Sequence, residues 1–122
     1  MAIKRLTTIF VALCCSLSVN AHMLSDMSDK QLLKNYALST CLATFYKGSE
    51  VSKDAIVAMQ GYRDYSDLPL EVFFEVSKLV ESSDLSGYSS KKGNTIELGY
   101  CIDFAESEGV ELLYQQALAS EL

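Results

Sequence analysis

SDKQLLKNYALSTCLATFYKG, Ser28 to Gly48, is the stretch from which the chain is best read. Ser28 with Gln31 three residues on has the form of a capping box, in which each side chain satisfies an orphan backbone N–H at a helix start. On a 3.6-residue wheel Leu33, Ala37, Leu38, Cys41, Leu42 and Phe45 share one wide side, with Asn35, Ser39 and Lys47 opposite. A side that wide suits a helix flanked by neighbours. Lys34 is a misfit there and must carry its amine out to water. Gly48 supplies a permissive C-terminal stop.

Upstream, the chain reads as an export signal. Lys4 and Arg5 form a positive start, Leu6 to Val19 an apolar run, and Val19-Asn20-Ala21 a small-residue cleavage site. The run falls short of the roughly 20 residues that span a bilayer. We therefore expect cleavage after Ala21, giving a signal peptide over 1–21 and one domain over 22–122. Cys14 and Cys15 leave with the signal, and Leu13 before Cys14 breaks the lipoprotein pattern.

The full chain has 122 residues, 10 basic and 16 acidic. Loss of the first 21 leaves 101 residues with a formal charge of −8, enough for one small domain. Such an excess of acid argues against nucleic acid and against stable association with anionic membranes. Solubility or a basic partner accounts for it. Two cysteines remain in an exported protein, so a Cys41–Cys101 disulfide is expected, the alternative being two buried free thiols.

Downstream, Ser52 is a natural N-cap for a second helix, Lys53 to Tyr65, with Ala55, Ile56, Met59 and Tyr62 inward. Pro69 suits the first turn of a third, whose stripe is Val72, Phe73, Val76, Leu79 and Val80. SSDLSGYSSKKGNT, beginning at Ser82, is Ser- and Gly-rich without apolar period and reads as a long exposed loop over Ser82–Asn94. A fourth helix follows from Thr95 to Ser107, with Leu98, Cys101, Ile102 and Ala105 on one side. Gly109 allows a break before a fifth carrying Val110, Leu113, Tyr114 and Ala117. The expected architecture is all-α, one small domain of about five short helices.

No catalytic set emerges. His22 is the only histidine and would be the mature N-terminus, so no Ser–His or Cys–His pair can sit on rigid structure. Ser89 and Lys92 have Ser-x-x-Lys spacing but lie in the loop, away from the helix start that this chemistry requires. One His and two Cys are too few for a zinc site, and no phosphate-cradling Gly motif occurs, so neither metal nor cofactor is expected. Tyr88 stands out: midway along the loop, it reads as an interface anchor, or else as a ring folded back on the domain.

Three runs carry a resemblance: NYALSTCLATFYKG from Asn35, YRDYSDLPLEVFFEVSKLVE from Tyr62, and YSSKKGNTIELGYCIDFAESEGVELL from Tyr88. They resemble the immunity proteins that bacteria with type VI secretion systems make against their own peptidoglycan amidase effectors. The resemblance spans about Lys34 to Gln115 and takes in Cys41, Cys101 and Cys101-Ile102-Asp103. It implies a periplasmic, all-helical homodimer, not an enzyme, that blocks an amidase with a cysteine nucleophile. It further implies that the loop between the third and fourth helices enters the enzyme's groove, and that the last helical region of a second subunit adds contacts. Here the loop residues are Ser86, Gly87, Tyr88, Ser89, Ser90, Lys91 and Lys92, with Tyr88 to Lys91 at the tip. The terminal residues Leu112, Tyr114 and Leu118 are the weaker candidates for dimer or partner contact. Two other readings stay open: a periplasmic carrier of a small apolar ligand, which needs an internal pocket, and a secreted inhibitor of a different enzyme.

Overall fold

The computed structural model describes residues 23–120, and the expected signal peptide and its cleavage site lie outside them. A single 3₁₀ turn, Leu24–Asp26, precedes five α-helices: α1 (Asp29–Phe45), α2 (Glu50–Asp64), α3 (Leu70–Glu81), α4 (Glu97–Ala105) and α5 (Glu108–Ser120). None of these helices is long and apolar enough to cross a membrane.

α1 is the central element and packs against each of the other four helices. Its start is half of the expected capping box: Ser28 Oγ accepts from the Gln31 N–H at 3.2 Å, whereas the Gln31 amide turns forward to Asn35 Oδ1 at 2.8 Å. Asp29 holds a second junction. Its carboxylate accepts from Ser66 Oγ and the Asp67 N–H, fastening the α2–α3 turn to the start of α1. The buried residues of α1 include Leu32, Ser39 and Thr40 as well as Leu33, Tyr36, Ala37 and Cys41. Ser39, placed on the outer side by the wheel, is therefore inward. The reason is α2, which covers that side and comes close enough for Ser52 Oγ to donate to the Ala43 carbonyl at 3.0 Å. Lys34 behaves as expected: its amine reaches Glu106 at 2.6 Å while its side chain stays 22% exposed.

α2 begins three residues earlier than the sequence suggests. Gly48 takes φ +84, the left-handed turn that lets Ser49 act as the cap, and Ser49 Oγ accepts from the Ser52 N–H. Ser52 is then inside the first turn and buried. Ala55 is buried as expected, but Ile56 is 47% exposed and points away from the core. α3 follows its stripe closely, with Val72, Phe73, Val76 and Val80 buried and Pro69 in the capping position. Tyr36 meets Phe73 edge-on at 4.8 Å.

α4 turns differently from its apolar stripe. Cys101, Phe104 and Ala105 are buried, whereas Leu98 and Ile102 are about half exposed. The inward arc is centred on Cys101 and Phe104, and Tyr100 rather than Ile102 flanks it. Between α4 and α5 there is only a turn, and Gly109 lies inside α5 rather than at a break. A Cβ there would stand 3.0 Å from Leu79 Cδ2, so the glycine permits close approach of α3 to α5. Lys30 bridges to Glu111 at 2.9 Å and tethers α1 to α5, its amine 5.7 Å from the Tyr114 ring centroid.

Cys41 and Cys101, both fully buried, are joined by a disulfide inside the main core cluster. The bond closes a loop 60 residues long, which removes about 4 kcal/mol of unfolded-state freedom in the chain-entropy model. That is a large share of a small domain's margin. The protein purified without reductant is expected to offer no alkylatable thiol at Cys41 or Cys101. The Cys41→Ala/Cys101→Ala variant should lose about 2–5 kcal/mol of unfolding free energy by denaturant titration; an unchanged midpoint would show that the helices hold together without the bond.

Candidate functional site

α3 ends at Glu81, and the chain does not become helical again until Glu97. The first part of this connection is a tight descent: Asp84 accepts from the Ser86 N–H at 3.0 Å, and the Tyr88 N–H donates to the Leu85 carbonyl at 2.9 Å. The Ser86 N–H bond holds the Asp84 carboxyl below its ordinary pKa, since a donor favours the charged form. The second part is a small hairpin. Ser89 and Thr95 form an antiparallel bridge, the Ser90 N–H donates to the Asn94 carbonyl at 2.8 Å, and the Ile96 N–H donates to the Tyr88 carbonyl at 2.8 Å. Its turn is Lys91-Lys92-Gly93, closed by the Gly93 N–H to the Ser90 carbonyl at 2.9 Å.

The tip thus lies further along the chain than the sequence reading places it. Lys91, Lys92 and Gly93 form the turn and are exposed, whereas Tyr88 stands at the base and is half-buried. Gly93, at φ +87, makes the turn possible, while Gly87 has no such backbone requirement. Tyr88 folds back on its own domain. Its ring meets Tyr100 edge-on at 5.1 Å, and its hydroxyl donates to Asp103 Oδ2 at 2.9 Å. The bond to Asp103 raises the Tyr88 pKa above the ordinary phenol value, because the carboxylate stabilises the protonated donor. Tyr100 in turn lies edge-on to Phe45 at 5.8 Å and stacks with Phe104 at 6.1 Å. Tyr100 and Asp103 are site residues that sequence reasoning missed. They lie on α4 three positions apart, a helical spacing that could have marked a shared side but not what would cover it.

Charge sharpens the picture. Lys30, Lys34, Lys53 and Lys78 each pair with a glutamate at 2.6–2.9 Å, and Arg63 lies 3.8 Å from Asp64. Among the described residues only Lys47, Lys91 and Lys92 have no acidic partner, and two of these are adjacent at the hairpin tip. The tip is a positive point on an acidic protein.

The terminal candidates are more dispersed. Leu112 is 53% and Leu118 37% exposed, whereas Tyr114 is half-buried beneath Lys30. Between α3 and α5 lies a surface groove of about 310 Å³ lined by Pro69, Val72, Leu113 and Ala117 with Glu71 and Glu75 at its edge. Leu112 and Leu118 do not line it.

The fold and this hairpin define a class: a small helical domain, locked by one disulfide, that presents a single ordered projection. The chain belongs to the Tai4 family, the type VI secretion system amidase immunity proteins, whose pattern matches residues 31–114. Solved structures with a similar chain include the following two. One is a structure of the effector–immunity system Tae4/Tai4 from Salmonella typhimurium, at 29% identity and TM-score 0.67, covering 77% of this chain and 93% of that one. The other is the crystal structure of the effector Tae4 from Salmonella typhimurium in complex with the immunity protein Tai4 from Enterobacter cloacae, at 19% identity and TM-score 0.66, covering 75% and 95%. The second likeness is one of fold. No curated protein matches the chain in sequence.

The hairpin's order can be tested at its turn. Gly93→Ala, at a left-handed φ, should cost about 1–2 kcal/mol locally. Exchange of the Ser90 and Ile96 amides should then quicken, with the global unfolding midpoint unchanged. Unaltered exchange would mean that the hairpin does not depend on this turn.

Proposed function

We propose that this protein binds and inhibits a cognate peptidoglycan amidase effector of a type VI secretion system, and so protects the cell that makes it. It acts in the periplasm after export and removal of residues 1–21, and it is an inhibitor, not an enzyme. The observation that carries this reading is the match to the amidase immunity family over residues 31–114, on a fold whose connection between α3 and α4 is an ordered hairpin. A similar structure at 29% identity comes from an effector–immunity system, in keeping with an effector as partner.

Inhibition follows from shape. A rigid, narrow projection can fill a catalytic groove and shut substrate away from the cysteine nucleophile without chemistry of its own. Preorganisation reduces the ordering cost on binding, so a hairpin already held by backbone bonds binds more tightly than a floppy loop of the same sequence. The protein's acidity would quicken encounter with an enzyme that carries positive charge toward the anionic wall. Replacing Ser86–Lys92 with a Gly-Ser linker should abolish inhibition of the amidase on purified peptidoglycan while leaving the helical circular dichroism intact. Full inhibition by that variant would refute the groove-filling mechanism and shift recognition to the terminal helix.

The same reading includes a homodimer, with the terminal region Leu112, Tyr114 and Leu118 of α5 as its surface, of which Leu112 and Leu118 are the exposed members. Light scattering at micromolar concentration should give twice the mass of the 101-residue chain. A mass of one chain would refute the dimer and leave the hairpin mechanism untouched.

A further inference from the structure

The hairpin has a supported base and an unsupported tip. At the base, the Tyr88 hydroxyl is engaged by Asp103 and its ring by Tyr100, so neither is free to reach outward unless those contacts break. Tyr100 and Asp103 lie on α4 on either side of Cys101, which the disulfide fixes to α1. The hairpin therefore rests on a helix that is covalently joined to α1. At the tip, Lys91 and Lys92 are exposed, adjacent and without acidic partners, although every lysine but one elsewhere among the described residues has one.

We propose that Tyr88 is a positioning residue that braces the hairpin on α4, and that Lys91 and Lys92 at its tip are the recognition residues, addressed to carboxylates at the mouth of the amidase groove. This rests on the immunity reading given above. Two cations left unneutralised on an acidic protein raise local repulsion little and gain most when a partner supplies the counter-charge on binding. Complementary charges placed this way act chiefly on which partner is accepted. Tyr88 acts through geometry, since a brace fixes where the amines stand before encounter.

Brace and tip separate experimentally. In the free protein, Tyr88→Phe should speed exchange of the Ile96 amide several-fold, Asp103→Ala should do the same, and the double variant should add nothing further. Asp103→Asn keeps an acceptor oxygen and should stay near wild type. If Asp103→Ala leaves exchange and binding unchanged, the brace is wrong. Against the purified cognate amidase, Lys91→Gln/Lys92→Gln should weaken binding at least tenfold and flatten its salt dependence, with the free hairpin's exchange unaltered. Wild-type affinity for that variant at all salt concentrations would overturn the cationic tip while leaving the immunity function standing. Failure of the unmodified protein to inhibit the amidase would instead overturn the immunity reading, and the amide-exchange results would still decide the brace.

Discussion

The bond between Cys41 and Cys101 is the constraint on which the rest of this structure depends. α4 is only nine residues long and is too short to hold its position by its own propensity. It packs mainly on α1, and the disulfide fixes that contact at its centre. Two positions next to or near Cys101 then become a platform: Tyr100 offers a ring edge and Asp103 an acceptor. The hairpin that precedes α4 leans on that platform through Tyr88. A core crosslink and a surface projection are thus successive parts of one load path, covalent at the inner end and hydrogen-bonded at the outer.

That arrangement explains why so small a domain can present an ordered loop. A domain of about 100 residues buries only a modest core, and long loops usually gain little by ordering. Here the cost is offset by short-range pairing between Tyr88–Ser90 and Asn94–Ile96 and by aromatic contact with α4. An oxidising compartment is needed for the bond, so under the proposed function export would also set the competence of the projection. Inside the cell, before the thiols join, the platform would be less firmly held.

Much of this was legible from residues alone. The all-α class, five helices, the Cys41–Cys101 pairing and the long connection after α3 followed from periodicity, capping residues and cysteine arithmetic. Boundaries and facings were less so. Ser49 and Ser52 are both competent caps, and the left-handed backbone at Gly48, invisible in composition, selects the first. Ser39 reads as an outward residue because a wheel assumes one buried side, whereas α1 is covered on several. Leu98 and Ile102 read as core because apolar spacing cannot say that Tyr100 would take the flanking position. Tyr88 was the clearest ambiguity: the same residue serves as anchor or brace, and its partner Asp103 lies fifteen positions away on another element.

The central claim is that the hairpin enters the amidase and is covered by it. Lysine acetylation in the free protein and in its complex with the amidase tests this directly, since Lys91 and Lys92 are exposed on the tip and Lys47 and Lys53 are exposed elsewhere. The account predicts that complex formation shields Lys91 and Lys92 while Lys47 and Lys53 react as before. Equal labelling of the tip lysines in the free and bound protein would contradict it.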